Sequence, residues 1–282
     1  MMKPTIFIAY CSPAGSTRHV ATVIENTFIH LAAEVHRLDL AKKGNHDEFI
    51  NRISKAGPND CLFVGSPVYR DMAIAPVMNF IDSLPNMDSC YTVPFVTWGG
   101  AFSGIALWQM GRALKKRGFH LLGGAKILAV HSMMWGCQEP LGHNHPDSDD
   151  DERIRTFAVN IYGRLSNKKI DRLPLEKLDY NPKRHTTRLK KKLGKPRWIV
   201  PKKVDKEKCT QCGLCENVCP AAAIELTDYP TISTACFDCF NCIRLCPEGA
   251  IIPAEAVEQV HERILKKVKK YNEKPLTLLF TA

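Results

Sequence analysis

"TIFIAYC" (residues 5–11) runs directly into "SPAGSTRHVA" (12–21), so a strand, a loop of small residues and a helix start follow one another without a spacer. β-Branched and aromatic residues fill the first run, as a half-buried or buried strand requires. Ser12, Ser16, Thr17 and Gly15 break it, and Val20, Val23 and Ile24 then take up helical spacing. Backbone amides of Ala14 to Thr17, with the hydroxyls of Ser12, Ser16 and Thr17, suit a phosphate, because a helix N-terminus presents unpaired N–H groups and partial positive charge. The plainer alternative is an ordinary turn and N-cap. No lysine stands in the loop, which excludes a Walker A nucleotide site.

Similar strand-like runs follow at 34–40, 61–67, 92–98 and 121–132, with helical patterns near 17–32, 47–54, 74–83, 103–117 and 151–165. This alternation predicts an α/β fold, a doubly wound five-stranded parallel sheet with helices on both faces. Its ligand is expected beyond the carboxyl ends of the strands. Two loops lie there. "GSPVYRDMAIAP" (65–76) contributes Ser66, Pro67, Val68, Tyr69 and Arg70; "WGGAFSG" (98–104) contributes Trp98, Gly99, Gly100, Phe102 and Gly104.

The chain has 282 residues and twelve cysteines. It opens without the basic head and cleavage site of a secretory signal, and no apolar run approaches the eighteen or so residues of a membrane span. A cytoplasmic, reducing setting is therefore expected, where clustered cysteines hold metals more often than each other. Eight of the twelve form two runs: Cys209, Cys212, Cys215 and Cys219 before Pro220, and Cys236, Cys239, Cys242 and Cys246 before Pro247. Both read C-x2-C-x2-C-x3-C-P, 27 residues apart, and both continue to an Ala-Ile pair. Three thiolates at two-residue steps wrap three corners of an iron-sulfur cube, and the fourth, beyond a turn of chain, reaches the other half's cluster. The expected sets are Cys209, Cys212, Cys215 and Cys246 for one 4Fe–4S centre and Cys236, Cys239, Cys242 and Cys219 for the second. Zinc is the alternative, but its sites usually pair C-x2-C with a distant second pair. Cys11 and Cys61 read as buried thiols; Cys90 and Cys137 share no ligand spacing with the others, and Cys137 is the one considered for a redox role.

Residues 203–253 resemble the bacterial two-cluster ferredoxins at every ligand. The loops at 12–17, 65–70 and 98–104 resemble the phosphate loop and ring-flanking loops of the flavodoxins, which implies FMN. One departure is Ser12-Pro13-Ala14, where flavodoxins usually alternate hydroxyl residues with Gly. The whole is similar to the flavodoxin-ferredoxin fusion proteins of anaerobic microbes. The organisation expected is a flavodoxin-like FMN domain (1–165), a basic Pro-containing linker (166–202), a two-cluster domain (203–253), and an amphipathic helix with a tail (254–282).

Between Lys183 and Lys208 stand twelve Lys or Arg against Asp205 and Glu207, an excess that equals the net charge of the whole chain, +10. Such a run suits an acidic redox partner such as a ferredoxin, or is a solvated tether. Nucleic acid is not expected, since no helix-turn-helix or aromatic platform accompanies the charge. The tail "PLTLLFTA" is expected to pack on a domain, with a homodimer contact or a membrane-surface touch as alternatives. In "HSMMWGCQEPLGHNHPDSDDDE" (131–152), Met134 and Trp135 are expected over the ring. Its His143, His145, Asp147 and Asp149 read as a polar loop entering an acid-capped helix, with a metal site as the alternative. The resulting expectation is an electron carrier linking FMN to two clusters and an external partner; the alternative is a small-molecule reductase fed through the clusters.

Overall fold

The computed structural model describes residues 3–42, 44–166, 170–195 and 198–282. Strand β1 (Thr5–Tyr10) shows why the chain folds as it does. Ile6, Ile8 and Tyr10 pack into one core and Phe7, Ala9 and Cys11 into another, on opposite faces of the strand. A strand buried on both faces needs helices on both sides. Helix α1 (Ser16–His30) covers the first face with Val20, Val23, Ile24, Thr27 and Phe28, one stripe at helical spacing.

The other elements of this layer are β2 (Glu34–Asp39), α2 (His46–Ile53), β3 (Cys61–Tyr69), its short return β4 (Met72–Ala73), α3 (Ala75–Ser83), β5 (Tyr91–Trp98), α4 (Ala106–Lys116), β6 (His120–Leu121), β7 (Gly123–Leu128) and α5 (Ser148–Leu165). The long parallel strands lie in the order β2-β1-β3-β5-β7. This is the flavodoxin-like 2-1-3-4-5 order, with the switch point between β1 and β3. Helices α1 and α5 pack on one face, and α2, α3 and α4 on the other.

From here the chain departs from a simple head-and-tail plan. Leu175 and Leu178 lie against Gly111 of α4 and Lys190 over Trp108 of the same helix; Leu173 and Thr186 are buried, and the basic run contains helix α6 (Lys183–Lys190). Two positions of that run, Pro196 and Arg197, and residues 167–169 of the linker lie outside the described residues. The cysteine-rich unit follows, with β8 (Lys202–Val204), α7 (Leu214–Asn217), β9 (Ile224–Leu226), β10 (Pro230–Ile232), α8 (Asn241–Arg244) and β11 (Ile251–Pro253). Strand β8 pairs with β11, and β9 with β10, both antiparallel.

Helix α9 (Val257–Tyr271) and strand β12 (Leu278–Thr281) then return to the first layer. Strand β12 adds to the β7 edge, antiparallel, from Leu278 opposite Lys126 to Thr281 opposite Gly123. The apolar tail is thus a sixth strand in the main order, a short edge strand paired on one side with β7. A buried network fixes this return. Lys126, 2% exposed, donates to Glu273 Oε1 at 2.7 Å and sits over the Trp98 and Tyr180 rings. Glu273 also accepts from Ser103 N and Ser103 Oγ, and Thr277 Oγ donates to Asp150. Among the described residues no helix is long and apolar enough to cross a membrane.

Candidate functional site

A cavity of about 380 Å³ opens at the carboxyl ends of β1, β3, β5 and β7. Ser12, Ala14, Ser16 and Thr17 form one end of it. Gly15 is the N-cap of α1, at φ 95°, and as a glycine it offers no capping side chain. The amides of Ser16 and Thr17 are left to meet an anion. Ser12 Oγ accepts from Arg18 N at 2.9 Å, which folds the loop back on the helix, and the Thr17 hydroxyl bonds that of Thr97.

Pro67, Val68, Tyr69 and Arg70 line a second wall, and Trp98, Gly99 and Phe102 a third. Gly15, Ser66, Gly100 and Gly104 do not line it. Ser66 is buried behind the wall, donating to Pro67 O and accepting from Ile74 N. Gly104, at φ 61°, lets the third wall close on the second, since a Cβ there would meet Asp71 O at 1.9 Å. Gly99 is required for a similar reason: a Cβ would strike the His131 ring at 2.6 Å. His131 and Met133 reach the cavity, whereas Met134 and Trp135 do not. A turn of 3-10 helix at Ser132–Met134 rotates Met134 into the core with Phe240 and leaves Trp135 on Phe240 and His261.

The fourth wall was not anticipated from the sequence. Val260, Arg263, Ile264 and Lys267 of α9, with Trp198, complete the lining. Two buried nitrogens that face no partner among the described residues, Trp98 Nε1 and His131 Nδ1, belong to residues of this cavity. Burial, and next the Lys267 cation, push the His131 imidazole down to about 4, so it is neutral near pH 7.

The two cysteine runs fold as a pseudo-repeat. Gln211, Gly213 and Ala222 have positive φ in the first half, as do Asp238, Phe240 and Gly249 at the matching positions of the second. Each Ala-Ile pair does the same work: Ala223 N donates to Cys219 Sγ and Ala250 N to Cys246 Sγ, both at 3.3 Å, while Ile224 and Ile251 are buried between the halves. Cys209, Cys212, Cys215 and Cys246 surround one small apolar cavity. The electrostatic neighbours of Cys239 are Cys242, Cys219 and Cys236. Four cysteines around one void, with backbone amides bonded to sulfur, offer the soft thiolate donors that iron–sulfur clusters take.

The second run touches the cavity wall. Tyr69 lines the cavity and packs edge-on against Phe237, with ring centroids 5.8 Å apart. Cys239 shares a core with Tyr69 and Cys11. Asp238, 1% exposed, accepts from Lys202 Nζ at 2.7 Å, from Arg70 and from Val200 N. Of the remaining cysteines, Cys11, Cys61 and Cys90 are buried, and burial pushes the Cys90 thiol up to about 12. Cys137 lies outside the cavity, 3.3 Å from His261 Nδ1.

The loop at 131–152 uses its acids structurally. Asp147 caps α5 by accepting from Asp149 N and Asp150 N, and Asp150 accepts from Thr277 and bonds His145. His145, Asp147 and Asp150 come together, whereas His143 and Asp149 stay outside the group.

The family model of the 4Fe–4S binding domain matches residues 202–225, which hold the first cysteine run. The polyferredoxin protein MvhB of Methanothermobacter thermautotrophicus is 43% identical over 49 residues, 17% of this chain and 12% of that protein. The chain thus spans only a small part of that curated relative. Among solved structures, rubredoxin oxygen:oxidoreductase from the anaerobe Desulfovibrio gigas is 23% identical at TM-score 0.47, covering 58% of this chain and 37% of that one. A flavodoxin from the domain Archaea is 17% identical at TM-score 0.44, covering 58% and 99%. Flavodoxin 1 of Bacillus cereus is 16% identical at TM-score 0.44, covering 57% and 99%. By its strand order and by the family match, the chain pairs an α/β layer of flavodoxin-like topology with a cysteine-rich unit that matches the 4Fe–4S binding domain.

Proposed function

We propose that the cavity holds FMN, that the cysteines hold two 4Fe–4S clusters in the crossed sets, and that electrons pass between the flavin, the inner cluster, the outer cluster and an external redox protein. FMN would supply an acceptor for one or two electrons and each cluster an acceptor for one. The observation that carries this reading is the shared wall: Tyr69 lines the cavity and also packs with Phe237 and Cys239 of the second run. The inner set is Cys236, Cys239, Cys242 and Cys219, and the outer set is Cys209, Cys212, Cys215 and Cys246.

The protein's part is to hold and shield. The free amides of α1 and the hydroxyls of Ser12, Ser16 and Thr17 suit the phosphate; Tyr69, Trp98 and Phe102 supply aromatic walls for a flat ring. Cofactor pockets run from roughly 300 to 1,000 Å³, and a cavity of about 380 Å³ falls within that range.

The partner is a redox protein with an acidic face, attracted by the exposed cations of the basic run. Lys191 and Lys192 are available to it, while Lys190 is held by Asp179 and lies over Trp108. Quantifying iron, sulfide and flavin after anaerobic reconstitution tests the assignment. About eight irons and one FMN per chain are expected. Full iron without flavin, even with FMN in excess, would remove the flavin and the function with it.

A further inference from the structure

Helix α9 follows the cysteine-rich unit and starts 153 residues after Gly104, the end of the β5 loop that it faces, yet it meets the cavity with one continuous stripe. Val260, Arg263, Ile264 and Lys267 stand at i, i+3, i+4 and i+7, the spacing of a single helix face. Val260 and Ile264 are buried, and they share a core with Ala101, Met134, Val200 and Phe240. Lys267 donates to Asp71 at 2.6 Å across the cavity mouth, between α9 and the loop after β3.

The helix is held from both sides. Before it, Phe240 of the second cysteine run packs under it. After it, Glu273 enters the buried network with Lys126 and Ser103, and β12 is hydrogen-bonded to β7. Ser103 belongs to the same 98–104 loop that forms the third wall, so the latch and the wall are one piece of structure.

We infer that α9 is part of the cofactor site itself, a retaining wall whose Val260 and Ile264 cover the flat apolar body of the bound ring and whose Lys267–Asp71 bridge closes its mouth. This rests on the flavin reading above. A ligand in this cavity is held by α9 together with the β3 and β5 loops, so loosening this wall speeds release. It also ties flavin retention to the cysteine-rich unit, because Phe240 supports the same helix.

The test uses full-length, iron-loaded protein with FMN bound, mixed with excess 5-deaza-FMN, while release of FMN is followed by its fluorescence. Ile264→Ala removes buried methylenes from the wall and is expected to speed release about tenfold. Lys267→Ala opens the mouth without touching the core and is expected to speed it about threefold. Lys266→Ala, on the exposed face of the same helix, should leave release unchanged. Iron content and circular dichroism identify any variant that misfolds, and Lys267→Ala decides the matter if Ile264→Ala does. Equal release from wild type and both wall variants would overturn the inference while leaving FMN bound. Failure of wild type to bind FMN would instead overturn the flavin reading on which it stands.

Discussion

The two cysteine runs share one motif and the same backbone turns, yet their surroundings are opposite. In the first, Gln211 and Cys212 are exposed and Gly213 occupies the left-handed turn. In the second, the matching positions are Asp238, Cys239 and Phe240, all buried. Asp238 binds Lys202 and Arg70, Cys239 joins the core of the flavodoxin-like layer, and Phe240 packs with Val260 of α9. The shared motif places the cysteines alike, and the residues between them decide which run faces the flavodoxin-like layer. Phe240 accepts a left-handed backbone that Gly213 adopts freely, because its ring is buried at the junction.

The comparison breaks most visibly at the crossing cysteines. Cys219→Ala should remove the inner cluster and about half of the iron, leaving the outer set intact by iron analysis and EPR. Loss of the outer cluster instead would mean that each run closes on its own. Next in size is the junction. Asp238→Ala strands buried Lys202 without its carboxylate and should cost about 3–5 kcal/mol in urea unfolding, whereas Gln211→Ala, its counterpart, should cost almost nothing. Similar losses from both would erase the distinction between the halves.

A smaller effect tests the cavity. In flavin-free protein His131 takes a proton only near pH 4, while the unfolded chain takes it near 6.5. Folding stability from this group is full above pH 6.5 and is lost as pH falls from 6.5 towards about 4, at most about 3 kcal/mol. His131→Asn should flatten that part of the pH profile; an unchanged slope would place the imidazole in water. Smallest is Tyr69→Phe, which removes the 2.8 Å bond to Ser132 but keeps the ring against Phe237, at a cost of about 1 kcal/mol.

Much of this was legible where chemistry acts over short spans. The alternation of Ile6, Phe7, Ile8 and Ala9, and the helical stripe of α1, specify a parallel layer because burial on two faces leaves few other arrangements. The cysteine spacing is set by the geometry of the metal site. Long-range partners were not legible. The apolar face of α9 could be read from Val257, Val260, Ile264 and Val268, but nothing local says that it covers the β3 and β5 loops. Lys126 and Glu273 look like surface residues until β12 joins the sheet and buries them. Proline and charge made this stretch read as a linker, yet Leu175 and Leu178 pack against Gly111 of α4. The exchange of Met134 and Trp135 for His131 and Met133 at the cavity comes from one short turn, whose phase no periodicity records.

The central claim is that the cavity and both cysteine sets form one electron path. An anaerobic reductive titration of reconstituted full-length protein, followed by visible absorbance and low-temperature EPR, addresses it directly. The account predicts about four electrons per chain, two on flavin and one on each cluster, with flavin and inner-cluster signals changing in linked steps. Clusters that reduce completely while bound flavin stays oxidised at every potential, with no magnetic interaction between them, would contradict it.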